Sequence, residues 1–219
     1  MELTAEEGRV LGCLVEKQLT TPQQYPLTDN SLVAACNQTT SRDPVVQYDV
    51  ATVRLAVRSL RERELLRTVH RPGERSEKHL HLLDRALDLP AGHVAVLAVL
   101  LLRGPQTAAE LRARTERMHS FGSVTEVEDV LLELAQRAEP LAERLERQPG
   151  QKEARYADLL VETGPARPPA VTPTPAAEPT AQPARAIIDV VDLGRQVEEL
   201  RAEVEQLRRE LRAALDANR

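Results

Sequence analysis

Apolar residues return every three to four positions through Val10, Leu11, Leu14 and Val15, which predicts a first helix reaching about Lys17. Thr4 and Glu7 just ahead of them have the spacing of a capping box. Thr21, Pro22 and the Tyr25-Pro26 step interrupt the pattern, since proline biases its predecessor away from helix. A second helix is predicted from Thr28 or Asp29 to about Asn37, burying Leu32, Val33 and Cys36. After the turn Ser41-Arg42-Asp43-Pro44, Asp49 caps a third helix with the buried stripe Val50, Val53, Val57 and Leu60. The period then drops to two: Leu65 to His70 reads as a strand, Arg71-Pro72-Gly73-Glu74 as a turn, and Leu80 with Leu82 as a returning strand.

The same order recurs downstream. Pro90 to Leu102 reads as an apolar helix ended by Gly104-Pro105, and Thr107 with Glu110 as a capping box for a helix carrying Ala108, Leu111 and Met118. Ser123 with Glu126 opens a helix burying Val127, Val130, Leu131 and Leu134. Leu141 to Arg147, a turn at Pro149-Gly150, and Arg155 to Leu160 close a second hairpin. Three helices followed by a hairpin, twice, is the order of tandem winged helix-turn-helix domains, mainly α with small β-hairpins (α+β). The expected boundaries are 1–86 and 87–163 for the two domains, 164–186 for a disordered Pro/Ala-rich linker and 187–219 for a coiled-coil helix.

That last segment repeats Val190, Leu193, Val197, Leu200, Val204, Leu207 and Leu211 as a heptad, β-branched at a and Leu at d, a choice that favours a parallel dimer. Glu203 and Arg208 have the spacing of an interchain pair. The alternative is a lone amphipathic helix packed on its own protein.

Composition narrows the classes. Apolar residues make up 42% of the 219 but aromatics only 2%, so the core is aliphatic. The start of the chain has no apolar signal region, and Val94 to Leu102 is far shorter than the roughly 20 residues a bilayer requires, so a soluble, cytoplasmic protein is expected. Cys13 and Cys36 sit within apolar patterns and read as small buried residues, with neither a disulfide framework nor a zinc motif. A net charge of −5 argues against indiscriminate nucleic-acid binding, so any DNA contact must be local.

One segment is locally basic. Residues 54–78 hold eight basic side chains against four acidic ones, a balance of +4. Arg54, Arg58 and Arg61 follow i, i+4, i+7 spacing on the side of the third helix away from its valines. Arg71, Arg75 and Lys78 extend the charge into the hairpin, and Gln47, Tyr48 and Thr52 near the helix start add polar contacts. In a winged helix this helix enters the major groove while the wing meets phosphate, and the planar donors of Arg suit both tasks. The bland reading is a solvated face with arginines partly paired to Glu62 and Glu64. The matching helix of the second domain presents Glu126, Glu128, Asp129 and Glu133, which phosphate would repel, so that domain is expected to dock on protein.

Two more clusters have a functional and a structural reading. Asn37, Gln38, Ser41, Arg42 and Asp43 form either a phosphate clamp, through Arg42 and Gln38, or local caps and turns. His70, His79 and His81 could converge on the first hairpin, yet without a second-shell motif they read as ordinary wing histidines and not as a metal site. No nucleophile elbow, phosphate-cradling loop or paired-carboxylate motif is visible, so no enzyme and no cofactor are expected.

The runs Tyr25-Pro26-Leu27-Thr28, Ala35-Cys36-Asn37-Gln38, Ser41-Arg42-Asp43-Pro44-Val45, Phe121-Gly122-Ser123-Val124 with Glu126-Val127-Glu128, and Pro149 through Tyr156 resemble the YceH-like family of bacterial proteins. The chain departs from that family's pattern at Thr39, where Lys is common, and at Asp158, where His is. The resemblance implies a tandem winged-helix fold over residues 1 to about 162 and no particular reaction. The combined expectation is a DNA-associated regulator that contacts double-stranded DNA through the first domain and dimerises through the coiled coil; the alternative is an acidic protein-binding adaptor.

Overall fold

The computed structural model describes residues 2–70, 76–147, 150–151 and 153–162. Arg71, Arg75 and the whole heptad from Val190 to Leu211 lie outside the described residues, as do the linker and the coiled-coil helix.

Helix α1 (Ala5–Thr20) opens on the expected capping box: Thr4 Oγ1 accepts the Glu7 N–H, and the Glu7 carboxylate accepts the Thr4 N–H at 2.9 Å. It runs past Lys17 because the Thr20 hydroxyl bonds back to the Glu16 carbonyl, and the hydroxyl and N–H of Thr21 to that of Lys17. Helix α2 (Asp29–Cys36) is capped by Thr28 and α3 (Val50–Glu62) by Asp49, whose carboxylate accepts the Thr52 N–H at 2.7 Å. Strands β1 (Leu66–Val69) and β2 (Lys78–His81) pair antiparallel with Thr68 opposite His79. Leu82, expected in the returning strand, instead caps a short helix α4 (Leu83–Ala86).

The second half repeats the plan with α5 (Ala91–Arg103), α6 (Ala108–Thr115), α7 (Val124–Ala135) and the antiparallel pair β3 (Ala142–Arg144) and β4 (Tyr156–Asp158). Gly104, at φ +67°, ends α5 in the left-handed region that glycine enters without a Cβ penalty. Met118, which spacing placed on α6, falls beyond its end and packs half-buried against the core.

The repeat extends to single hydrogen bonds. In the first half, Leu27, just before the cap of α2, exchanges both backbone bonds with His79 in β2. In the second, Gln106, just before the cap of α6, does the same with Tyr156 in β4. Each hairpin thus gains a third, one-residue strand. The architecture is α+β, with seven α-helices and two small antiparallel hairpins among the described residues.

One apolar cluster runs through both halves, from Leu3 to Leu160. Its centre is the contact of α1 with α5. Helix α5 is apolar on all sides and buried from Gly92 to Leu102, as such a helix must be. Close approach needs glycine on α1: a Cβ at Gly12 would lie 3.0 Å from Leu102 Cγ and 3.2 Å from Leu101 Cβ, and one at Gly8 would collide with Val161. Two further ties cross between the halves. The Asp43 N–H bonds the Leu102 carbonyl at 2.9 Å, and Leu3 pairs with the Leu160–Glu162 segment through bonds of 2.7 and 2.9 Å. No helix among the described residues is long and apolar enough to cross a membrane.

Candidate nucleic-acid interface

The stripe on α3 exists because four apolar positions fix the helix's rotation. Val53, Ala56, Val57 and Leu60 are buried, which turns Arg54, Arg58 and Arg61 to solvent. Leu55 shares that side and is 70% exposed. Arg54 donates from Nε to Asp29 Oδ2 at 2.7 Å, and Arg58 from Nε to Glu62 Oε1 at 3.1 Å. No carboxylate reaches Arg61 among the described residues. Both pairs are exposed, a setting in which such pairs contribute about 0.2–1 kcal/mol, so phosphate can compete for these guanidinium groups. The row is therefore uncovered, and neutralised only in part.

Asp29, expected only as a possible start of the second helix, organises the edge of this face. Its Oδ1 lies 2.7 Å from His79 Nε2 while Oδ2 holds Arg54, and Thr68 Oγ1 lies 3.1 Å from His79 Nδ1. The start of α2, the middle of α3 and the hairpin are thus joined through one carboxylate. The Asp29 carboxyl sits below its ordinary range because these bonds outweigh the effect of burial.

The hairpin histidines differ from the expectation of ordinary wing residues. His79 and His81 are buried, because their side of β2 faces α1 and α2. His81 packs against Tyr25, whose hydroxyl accepts the His81 N–H at 2.7 Å, and burial pushes its imidazole down to about 4. His70 is exposed. No group of three or more metal-ligating side chains converges among the described residues.

The phosphate clamp at Arg42 is overturned. Arg42 is 6% exposed and its guanidinium points inward. Nε donates to the Ala35 carbonyl at 3.0 Å; the terminal nitrogens bind both Glu16 oxygens at 3.0 and 2.6 Å, the Ser41 carbonyl at 2.8 Å and Gln38 Oε1 at 2.9 Å. With its N–H groups spent inside the protein, Arg42 keeps none for a phosphate. Gln38 is committed to Arg42 and to Lys17. Asn37 both ends α2 and clamps the next loop, donating to the Tyr48 carbonyl and accepting the Tyr48 N–H, each at 2.8 Å.

Of the remaining expected contacts, Gln47 is exposed, whereas Tyr48 and Thr52 are half-buried, Tyr48 packing on the core. Lys78 is half-buried in β2. The exposed side chains among them are Gln47, Arg54, Arg58 and Arg61, the three arginines lying on one side of α3.

The second half has the opposite character at the equivalent helix. On α7, Glu126, Glu128, Asp129 and Glu133 are exposed around Leu132, itself 54% exposed. Glu126 caps its own helix entry by accepting the Gly122 N–H at 2.8 Å, and Glu133 lies 2.8 Å from the buried His93. Arg144, Arg147, Glu128, Glu153 and Tyr156 line a shallow cavity of about 250 Å³ beside it.

Comparison with known proteins places the chain. A family described as a protein of unknown function, DUF480, matches residues 3–151. The chain belongs to this family. It is 52% identical over 158 residues to a UPF0502 protein of Geobacter metallireducens, covering 72% of each chain, and 51% identical over 160 residues to one of Pelobacter propionicus, covering 73% of each. A UPF0502 protein of Shewanella sp. strain W3-18-1 is 46% identical over 167 residues, 74% of this chain and 76% of its own. These matches agree with the YceH-like resemblance carried by residues 25–45 and 121–156.

Proposed function

We propose that this chain is a DNA-associated regulator of tandem winged-helix type, in which α3 is the groove-facing helix and the β1–β2 hairpin is the wing. The reading rests on one observation: Arg54, Arg58 and Arg61 stand in a row on an uncovered helix face in a chain whose net charge is −5. Three helices followed by a hairpin, with the third helix exposed on one side, matches the geometry such domains use to present side chains to the major groove. Dimerisation through the 187–219 heptad would place two such faces on one duplex and raise avidity by ~10² to 10⁴ if both engage at once. No catalytic step is part of this reading.

Titration of duplex DNA with the wild type and the Arg54→Ala/Arg58→Ala/Arg61→Ala variant across a salt series tests it. The expected result is weaker binding by the variant and a salt slope shallower by about 3. Equal affinity with an unchanged slope removes this face from any DNA role.

A second reading has its own support in α7. An exposed leucine ringed by Glu128, Asp129 and Glu133 suits a basic-apolar protein partner and repels phosphate. Partners recovered after nuclease treatment, and lost with Leu132→Asp, would favour an adaptor.

A further inference from the structure

Helices α3 and α7 hold the same place in the two halves. Counted from their caps, Asp49 and Ser123, the buried positions coincide: Val53, Val57 and Leu60 in one, Val127, Leu131 and Leu134 in the other. Both helices therefore turn the same side to solvent, yet that side carries opposite charge. Arg54 stands where α7 has Glu128, and both are exposed. The two most exposed of the described large apolar side chains fall on these same faces, Leu55 on α3 and Leu132 on α7. Leu55 is bordered by Arg54 and Arg58, with Arg61 beyond; Leu132 is bordered by Glu128, Asp129 and Glu133.

An apolar side chain left in water among charges of one sign fits a surface of the same build and the opposite sign. The charges are available for such a surface. No carboxylate reaches Arg61, and no cation lies within ion-pair distance of Glu128 or Asp129, among the described residues. The pairs that Arg54 and Arg58 make are exposed and weakly held. Both faces stay open in one folded unit built on a single apolar cluster, so neither covers the other within the chain. Each can be covered only from outside.

We infer that the α3 face of one copy docks on the α7 face of a second copy, Leu55 and Leu132 packing at the centre and the arginines meeting Glu128 and Asp129 around them. This names the partner of the α7 face in the adaptor reading, and rests on that reading. At each junction a basic helix of one copy meets an acidic helix of the other. Exposed ion pairs contribute little each, so the association is weak, salt-dependent and selective through charge sign. Arginines engaged in this way cannot face phosphate, so copies docked through α3 are closed to DNA until they separate.

The test uses the full chain, freed of nucleic acid by nuclease. One variant reverses the basic face, Arg58→Glu/Arg61→Glu; the other reverses the acidic face, Glu128→Arg/Asp129→Arg. Each alone sets like charges against each other, whereas a mixture of the two restores unlike charges at every α3–α7 junction. By fluorescence anisotropy, each labelled variant should bind the other at least ~10-fold more tightly than it binds itself, and the preference should shrink between about 0.1 M and 1 M salt. Residues 187–219 are the same in every arm, so any association through them cancels from the ratio. In the wild type, backbone amide shifts of α3 and α7 should move together on serial dilution, a reading that needs no variant to fold. Equal binding in mixed and unmixed arms overturns the proposal, as do dilution shifts absent from either helix. Should α3 respond only to added duplex DNA, that face belongs to DNA and the proposal falls. The test contains this chain alone, so a foreign partner of α7 recovered after nuclease treatment would survive its failure.

Discussion

Replacing Glu16 with Ala should destabilise the protein far more than a surface charge deletion. Arg42 loses two bonds and its one carboxylate, yet remains wholly shielded from water at its side chain. Removing one partner of a buried pair costs about 3–5 kcal/mol. Here the lower end applies, because the Ala35 and Ser41 carbonyls and Gln38 still solvate the guanidinium and Glu16 itself is 14% exposed. With a urea slope of about 2 kcal/mol/M, a loss of about 3 kcal/mol moves the unfolding midpoint by about 1.5 M, measured under reducing conditions by circular dichroism. The cost also has a pH signature. The Glu16 carboxyl is depressed, burial being outweighed by its bonds to Arg42, so its stabilisation is complete above the unfolded value of about 4.3 and disappears as pH falls through the lower native one. Wild type and variant should converge on acidification. A midpoint shift under about 0.3 M at neutral pH would refute the assignment of Arg42 as a cation dependent on Glu16.

Gly12→Val should lower stability by about 1–3 kcal/mol through overpacking against Leu101 and Leu102, and a thermal melt no lower than the wild type's would contradict the close α1–α5 contact. Asp49→Ala removes the cap of α3 and should lower the midpoint of denaturant unfolding, with Asp49→Asn largely sparing it. His81, held neutral with a value of about 4, should show no ring titration by NMR between pH 5 and 8. Because the unfolded chain takes up that proton near pH 6.5, this histidine makes the protein lose stability as pH falls from there towards 4, and His81→Phe should flatten that part of the profile.

Local chemistry was the most legible level of the sequence. Thr4 with Glu7, Thr107 with Glu110, Asp49 and Ser123 stand at the helix starts expected of them, and Thr28, one of two starts expected for the second helix, caps it, since an N-cap bond spans only three residues. Orientation of the α3 arginines followed equally directly from the valine stripe. Contacts between distant segments were not legible. Arg42 looked like a surface residue in a polar loop, and only the fold places Glu16, 26 positions earlier, against it. A signal existed: Arg9 and Glu16 interrupt an otherwise apolar helical stripe, where charges are tolerated only with partners. Leu55, off the valine stripe, could have been read as exposed. Likewise the all-round apolarity of Ala91–Arg103 foretold a helix buried on every side, which a self-contained second domain could not have covered by itself.

The pairing of Leu3 with Val161 brings the first and last described segments side by side. A short polar bridge could therefore join residue 162 back to residue 2, and new ends could be opened at the exposed stretch Gln136–Pro140 without cutting a helix or strand. Such a circularly permuted protein keeps the packed interfaces of the described residues while moving the β3–β4 hairpin ahead of α1 in the order of synthesis, and so separates what the architecture needs from what the order of translation supplies.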